Sequence, residues 1–234
     1  PMVYNQYTMA TPENGFTPGF DNHAMLYRPL FTTSFVLDDY FADHDFFGAK
    51  HVILASASSK TAFGMAFMLK RRPDISVSAL TSSANRSFVE GLGLYDRVLT
   101  YDEIESLPAI DSVYVDMAGN PEVRARVHRH LAELLKNSCG VGITHWESRD
   151  DTTPADLPGP EPSMFFAPDQ IVKRHQELGA AMYQQQLNAA TETFFAAVDQ
   201  WVTIEEHPFT EVADVYKVVL EGAPPQRGFI VTRA

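Results

Sequence analysis

Cysteine is nearly absent from this sequence. Cys139 is the only one, which excludes an internal disulfide and any cysteine-built structural zinc site within the chain. It also suits a reducing, cytoplasmic setting. Basic residues are scarce: 18 Lys and Arg stand against 30 Asp and Glu, a formal net charge of −12. Binding to a nucleic-acid backbone needs clustered cations, so nucleic acid is not an expected partner. No apolar run approaches the roughly 18 residues that cross a bilayer, and no basic-then-apolar leader is visible, so no membrane partner is expected. The Gly-x-Ser-x-Gly elbow of hydrolases is missing too. The chain opens Pro1-Met2-Val3-Tyr4, as a processed or partial chain would.

What is present centres on one stretch. His51 to Leu54 is an apolar strand, Ala55-Ser56-Ala57-Ser58-Ser59 a turn of very small residues, and Lys60-Thr61-Ala62 opens an amphipathic run to Arg72. Strand, small-residue turn and helix is the form of a dinucleotide-binding first βα unit. Small side chains let the backbone approach a pyrophosphate, and the amides at the helix start bind its charge. The glycines usual in that turn are absent. Serines and Lys60 stand in their place, and an ordinary buried strand-to-helix turn is the plain alternative.

Further apolar strands follow at Ile75–Leu80, Arg97–Thr100, Ser112–Val115 and Ser138–Thr144. Helices alternate with them, among them Ser87–Leu92 and Pro121 to about Leu135. Strands apolar on both faces alternating with helices predict a parallel sheet covered on both sides, an α/β doubly wound fold of Rossmann type. Met25–Phe41 reads as a helix with Pro29 near its start. Residues 147–163 read as a loop and Ala180 to about Trp201 as a long helix. Phe209–Glu221 is a further helix and Gly228–Thr232 a closing strand. The expected organisation is an N-terminal arm and helix (1–47), a dinucleotide-binding core (48–146), and a flap, helices and closing strand (147–234).

Ligands of such sheets sit at the carboxyl ends of the strands, and polar residues gather there. The candidate cofactor contacts are Ser56, Ser58, Ser59, Lys60 and Thr61 after the first strand, and Thr81, Ser82, Asn85 and Arg86 after the second. Ala118 and Gly119 follow the fourth, and Thr144 and His145 the fifth. The second strand end carries hydroxyls and a cation in place of the carboxylate that holds a free ribose 2′-hydroxyl. That favours a 2′-phosphate, hence NADP, although Arg86 also reads as a solvated helix residue. His145 could donate a proton or hydrogen bond to a carbonyl, or simply pack beside Trp146. No metal site is expected, because no second histidine or cysteine lies at ligand spacing from His145. His128 and His130 read as solvated on a charged helix, and Cys139 as inert.

Val52–Lys70, Leu80-Thr81-Ser82, Leu92-Gly93, Val98–Tyr101 and the tail Val212–Tyr216 to Gly228–Val231 are similar to the nucleotide-binding domain of zinc-free medium-chain dehydrogenases/reductases of the quinone oxidoreductase type. Gly91–Asp96, Tyr114–Gly119, Thr144–Glu147 and Phe165–Pro168 resemble, more narrowly, a branch that carries a domain-of-unknown-function label. The resemblance implies that Ser56, Ser59 and Ala62 stand at the phosphate turn, and that Asn85 and Tyr101 face the 2′-phosphate. It implies further that Thr32 or Thr33 approaches the nicotinamide. It also implies that most of a GroES-like catalytic domain is missing, so that the chain is a fragment or a reduced form whose cleft is rebuilt by residues 1–24 and 147–210. The final strand would then lack its usual sheet, which suggests self-association or a missing N-terminal segment.

These observations lead to the expectation of an NADP(H)-dependent reductase or dehydrogenase domain acting on a small carbonyl or activated-alkene substrate, with the catalytic residue unassigned. A nucleotide- or metabolite-binding relic without redox turnover is the alternative. A lyase or isomerase using His145 or Tyr4 in the same cleft is a third.

Overall fold

The computed structural model describes residues 9–142 and 156–233. They divide into two compact units, one spanning residues 34–167 and one combining residues 1–33 with 168–234.

The first unit is the parallel sheet. Its strands are β1 (His51–Ala55), β2 (Ser76–Thr81), β3 (Arg97–Thr100), β4 (Ser112–Asp116), β5 (Leu135–Gly140) and the two-residue β6 (Ser163–Met164), in the order β3-β2-β1-β4-β5-β6. Every pairing is parallel. This is the order of the dinucleotide-binding sheet, and it reverses direction between β1 and β4. All five residues of β1 and all five of β4 are buried, which explains their lack of polar alternation. Helix α1 (Asp21–Asp43) enters this unit at Ser34. Three crossover helices follow: α2 (Lys60–Leu69), α3 (Arg86–Gly91) and α4 (Pro121–Leu131). The core on the α4 side joins Ile53, Leu80, Leu99, Tyr114, Val123, Val127 and Leu135.

The expected fold class stands, and β1 to β4 lie within a residue of their expected bounds. The fifth strand requires correction. Ala132 adopts φ 47° and ψ −117°, so α4 stops at Leu131 and the strand starts at Leu135 and ends at Gly140. Polar Lys136 and Asn137, half-buried in β5, disguised it. Pro29 lies inside α1 rather than near its start. His128 is fully buried, not solvated: its Nδ1 lies 2.9 Å from the Pro158 carbonyl oxygen and its Nε2 2.8 Å from Ser138 Oγ. His130 bonds the Leu107 carbonyl at 2.9 Å.

The second unit contains the start of α1, then α5 (Ala167–Leu178, from Pro168 on), α6 (Ala180–Val198) and α7 (Val212–Leu220). Tyr183, Leu187, Ala190, Phe194 and Val198 of α6 are buried, with Phe194 stacked on Phe31 at 4.3 Å. The closing strand β8 (Arg227–Thr232) has a partner that the sequence reading did not see. It pairs in parallel with β7 (Thr203–Pro208), and Arg227 grips Glu205 through two bonds of 2.6 and 2.7 Å. Among the described residues no helix is long and apolar enough to cross a membrane.

At the amino end of the sheet, His51 is buried between two serines. Ser112 Oγ donates to the Ile110 carbonyl at 2.7 Å, so it accepts from His51 Nδ1–H at 2.8 Å. Nε2 then accepts from Ser78 Oγ at 2.8 Å. The ring is therefore held neutral, and burial pushes its pKa from 6.5 down to about 4. His128 is depressed for the same reason. The unfolded chain takes up these protons first. Stability from the neutral rings is complete above about pH 6.5 and is lost as pH falls toward 4. Thermal melts should show the midpoint dropping between pH 6.5 and 4.5, above the range where the carboxylates titrate. His51→Gln, although less stable at pH 7.5, should show a shallower drop. An identical slope in the variant overturns the assignment.

Candidate functional site

The β1–α2 turn folds as small residues require. Ser56 takes a left-handed φ of 52°, a conformation that larger side chains resist. Ala57 is fully buried, and its amide donates to the Leu80 carbonyl at 3.1 Å, tying the turn to β2. Ser59 caps α2, its Oγ accepting from the Ala62 amide at 3.3 Å. A helix leaves its first amides pointing toward such a turn, with partial positive charge. Lys60 is half-buried beside them, and burial pulls its ammonium below the usual lysine range. Ser34, from the hydroxyl cluster of α1, donates to the Thr61 carbonyl at 2.8 Å.

Side chains from beyond β2 and from either end of β3 reach this turn. Asn85 Nδ2 donates to Ser58 Oγ at 3.0 Å, Tyr101 Oη lies 3.3 Å from Ser56 Oγ, and Tyr95 Oη donates to the Ala57 carbonyl at 2.9 Å. Ser56, Ser58, Ser59, Lys60, Thr61, Asn85 and Tyr101 thus meet at one place. Thr81, the last residue of β2, is 1% exposed with no hydrogen-bond partner for Oγ1. Ser82 is half-buried and begins the turn that leads to Asn85.

Arg86 is in this region, exposed and ion-paired. Nε donates to Glu90 Oε1 and Nη1 to Glu103 Oε2, each at 2.9 Å. Glu103 Oε2 also accepts from the Thr100 amide at 2.8 Å and from Thr100 Oγ1 at 3.1 Å. These Thr100 bonds, followed by the Arg86 guanidinium, hold the carboxyl below the usual glutamate range. Neither glutamate was singled out from the sequence. Their signal was the Thr-x-x-Glu capping box at Thr100 and the i,i+4 spacing of Arg86 and Glu90.

Across the switch point stands a further unread residue. Asp116, the last of β4, is 2% exposed. Its Oδ1 accepts from the amides of Ala118 at 3.1 Å and Gly119 at 2.7 Å, while Oδ2 has no partner. Burial raises its pKa against the pull of those amides. The Ala118 and Gly119 amides are therefore committed to Asp116, and Gly119 turns with φ 74°. The loops after β4 and β5 close together here, since a Cβ on Gly142 would collide with the Met117 carbonyl oxygen. On β5, Cys139 is buried, and its thiol is pushed up to about 12 by burial and then by Asp116, so it stays protonated at neutral pH. Thr33 Oγ1 is bonded to the Pro29 carbonyl of its own helix at 3.0 Å. Thr144 and His145 lie outside the described residues. Among those described, no three His, Cys, Asp or Glu residues converge as a metal site.

The Asp116 geometry predicts a contrast between two variants. Asp116→Ala leaves two amides of a buried turn without their acceptor and should cost about 2 kcal/mol. Asp116→Asn keeps the Oδ1 acceptor and removes a buried charge, so it should cost less than about 1 kcal/mol. Urea unfolding of both reads the difference, and equal losses would show that the carboxylate does not organise the turn.

Solved structures share this fold at low identity. mll3093 from Mesorhizobium loti, a candidate NADPH:quinone reductase, superposes with a TM-score of 0.61 at 11% identity, over 86% of this chain and 58% of that one. CurA from Vibrio vulnificus, solved with NADPH, gives 0.56 at 16%, over 93% and 66%. The yhdH oxidoreductase of Salmonella enterica, solved with NADP, gives 0.52 at 14%, over 87% and 60%. The chain thus spans about three fifths of the length of these proteins. At such identities the likeness is one of fold. No curated protein matches the chain in sequence. The pattern of one family matches residues 1–224, and the chain is accordingly a member of the family described as protein of unknown function, DUF2855.

Proposed function

We propose that this chain is an NADP(H)-binding reductase domain that serves hydride transfer to or from a carbonyl or activated alkene. The observation that carries the reading is the turn at the switch point of the sheet. It combines a small-residue approach, a helix start, Lys60 and a ring of hydroxyl and amide donors from Ser56, Ser58, Ser59, Asn85 and Tyr101. That donor set, hydroxyls, amides and one ammonium, fits a polyphosphate. The fold neighbours solved with NADP or NADPH support the same ligand.

The expected roles follow from position. Ser59, Lys60 and the first amides of α2 hold the pyrophosphate. Ser82, Asn85, Arg86 and Tyr101 face the adenosine end, between β2 and β3. Ala118 and Gly119 border the other half of the crevice, toward which Thr144 and His145 are assigned by sequence. The cofactor supplies the hydride, and the protein supplies binding, orientation and exclusion of water.

Titration by thermal shift tests this directly. NADPH should raise the melting temperature, by mass action on the folded state. Lys60→Met should weaken NADPH binding about tenfold, the loss of one charge-assisted contact. No shift with either NADPH or NADH at millimolar concentration overturns the proposal. Binding without oxidation across a panel of carbonyls and enones would move the assignment to a nucleotide-binding module without redox turnover.

A further inference from the structure

Arg86 is the first residue of α3 and Thr100 the last of β3, so both lie at the carboxyl edge on the side of β2 and β3. In a sheet of this order that side receives the adenosine ribose. A single guanidinium there is shared by two carboxylates, Glu90 at 2.9 Å and Glu103 at 2.9 Å. The cluster therefore carries a net charge of −1. A cation in that state attracts a dianionic phosphate poorly.

We propose that Glu103 is a counter-anion that competes with a ribose 2′-phosphate for Arg86 and so limits the preference of this site for NADPH over NADH. The inference rests on the NADP(H) reading given above. Its geometry is specific. Glu103 reaches Arg86 with the same oxygen that Thr100 holds through its amide and its hydroxyl. The carboxylate is thus fixed in place by the backbone and does not need Arg86 to stay there. Arg86 is the partner that can change allegiance. Its side chain is 40% exposed and that of Glu103 39%, so the pair is hydrated and individually weak. A phosphate offers a planar guanidinium two charge-assisted bonds at once. When Arg86 turns to it, Glu103 remains nearby and repels it. The adjacent Glu90 is the softer restraint, because its own anchor is only an i,i+4 contact on an exposed helix.

Glu103→Gln separates the charge from the architecture. Glutamine serves the capping box as glutamate does, so the turn after β3 is kept. The ratio of NADPH affinity to NADH affinity, read by calorimetry or thermal shift on the full chain, should rise about fivefold, the effect of removing one exposed charge. The same change should appear with 2′-AMP against 5′-AMP, which carry no nicotinamide. The gain should shrink as salt is raised from about 0.05 to 0.5 M, because exposed charges are screened. Adding Arg86→Gln to the variant should erase it. If the wild-type chain binds NADPH but the ratio is unchanged or falls in Glu103→Gln, the counter-anion role is overturned and the NADP(H) reading survives. If the wild-type chain binds neither cofactor, both fall together.

Discussion

Burial of β1 on both faces is the constraint from which the rest of this sheet follows. A strand with every residue buried must find all its backbone partners in neighbouring strands. His51–Ala55 does so with β2 on one side and β4 on the other, residue for residue. Those neighbours are parallel, so each connection must cross over, and helices must cover both faces. The polar groups of β1 are pushed to its two ends. At the amino end the single imidazole of His51 links Ser78 of β2 to Ser112 of β4, spanning the three central strands with one neutral relay. At the carboxyl end the chain turns sharply into α2 through Ser56, at a left-handed φ, and the fully buried Ala57.

Much of this fold was legible because burial leaves a signature in composition. The first four strands are short, apolar and bounded by turn residues, and their limits could be read closely. β5 was read too far along the chain, and β6 and β7 escaped. In β5, Lys136 and Asn137 interrupt the apolar run, and Leu134-Leu135 continues the helical period of α4 so smoothly that only the unusual backbone of Ala132 ends it. No local propensity announces an alanine at positive φ. In β7, Thr203-Ile204-Glu205-Glu206 carries acids in place of an apolar face and ends at Pro208. It pairs with β8 along its whole length, and Arg227 of β8 bonds Glu205 across the pair, partners that no window of sequence contains. His128 was misread for a related reason. Its neighbours Arg124, Arg126 and Arg129 mark the helix as charged, but its own face meets Ser138 and the Pro158 carbonyl.

The site was legible as a location and less so as a set of bonds. Strand ends alone brought Ser56, Ser58, Lys60 and Asn85 to one edge. The residues that organise that edge, Asp116 and Glu103, are acids, and a search for anion-binding groups passes over acids. Asp116 works through Oδ1, which ties down the Ala118 and Gly119 amides and so shapes the turn after β4. Glu103 works through Thr100, closing the turn after β3. Both are acceptors for backbone donors, a role that composition cannot distinguish from a solvated surface charge.

A glycine-rich phosphate turn gets its shape from the freedom of its backbone. This one gets it from side chains that cross between strands. Asn85 holds Ser58, Tyr101 approaches Ser56, and Tyr95 holds the Ala57 carbonyl. Serine and alanine narrow the accessible backbone states relative to glycine, so less conformational entropy is lost on ordering the turn. The cross-strand bonds then select the single conformation that remains. The same bonds use up donors that a phosphate could otherwise take, and Arg86 shows this most clearly with two carboxylates already in hand. Rigidity and free donors are therefore in competition at this edge.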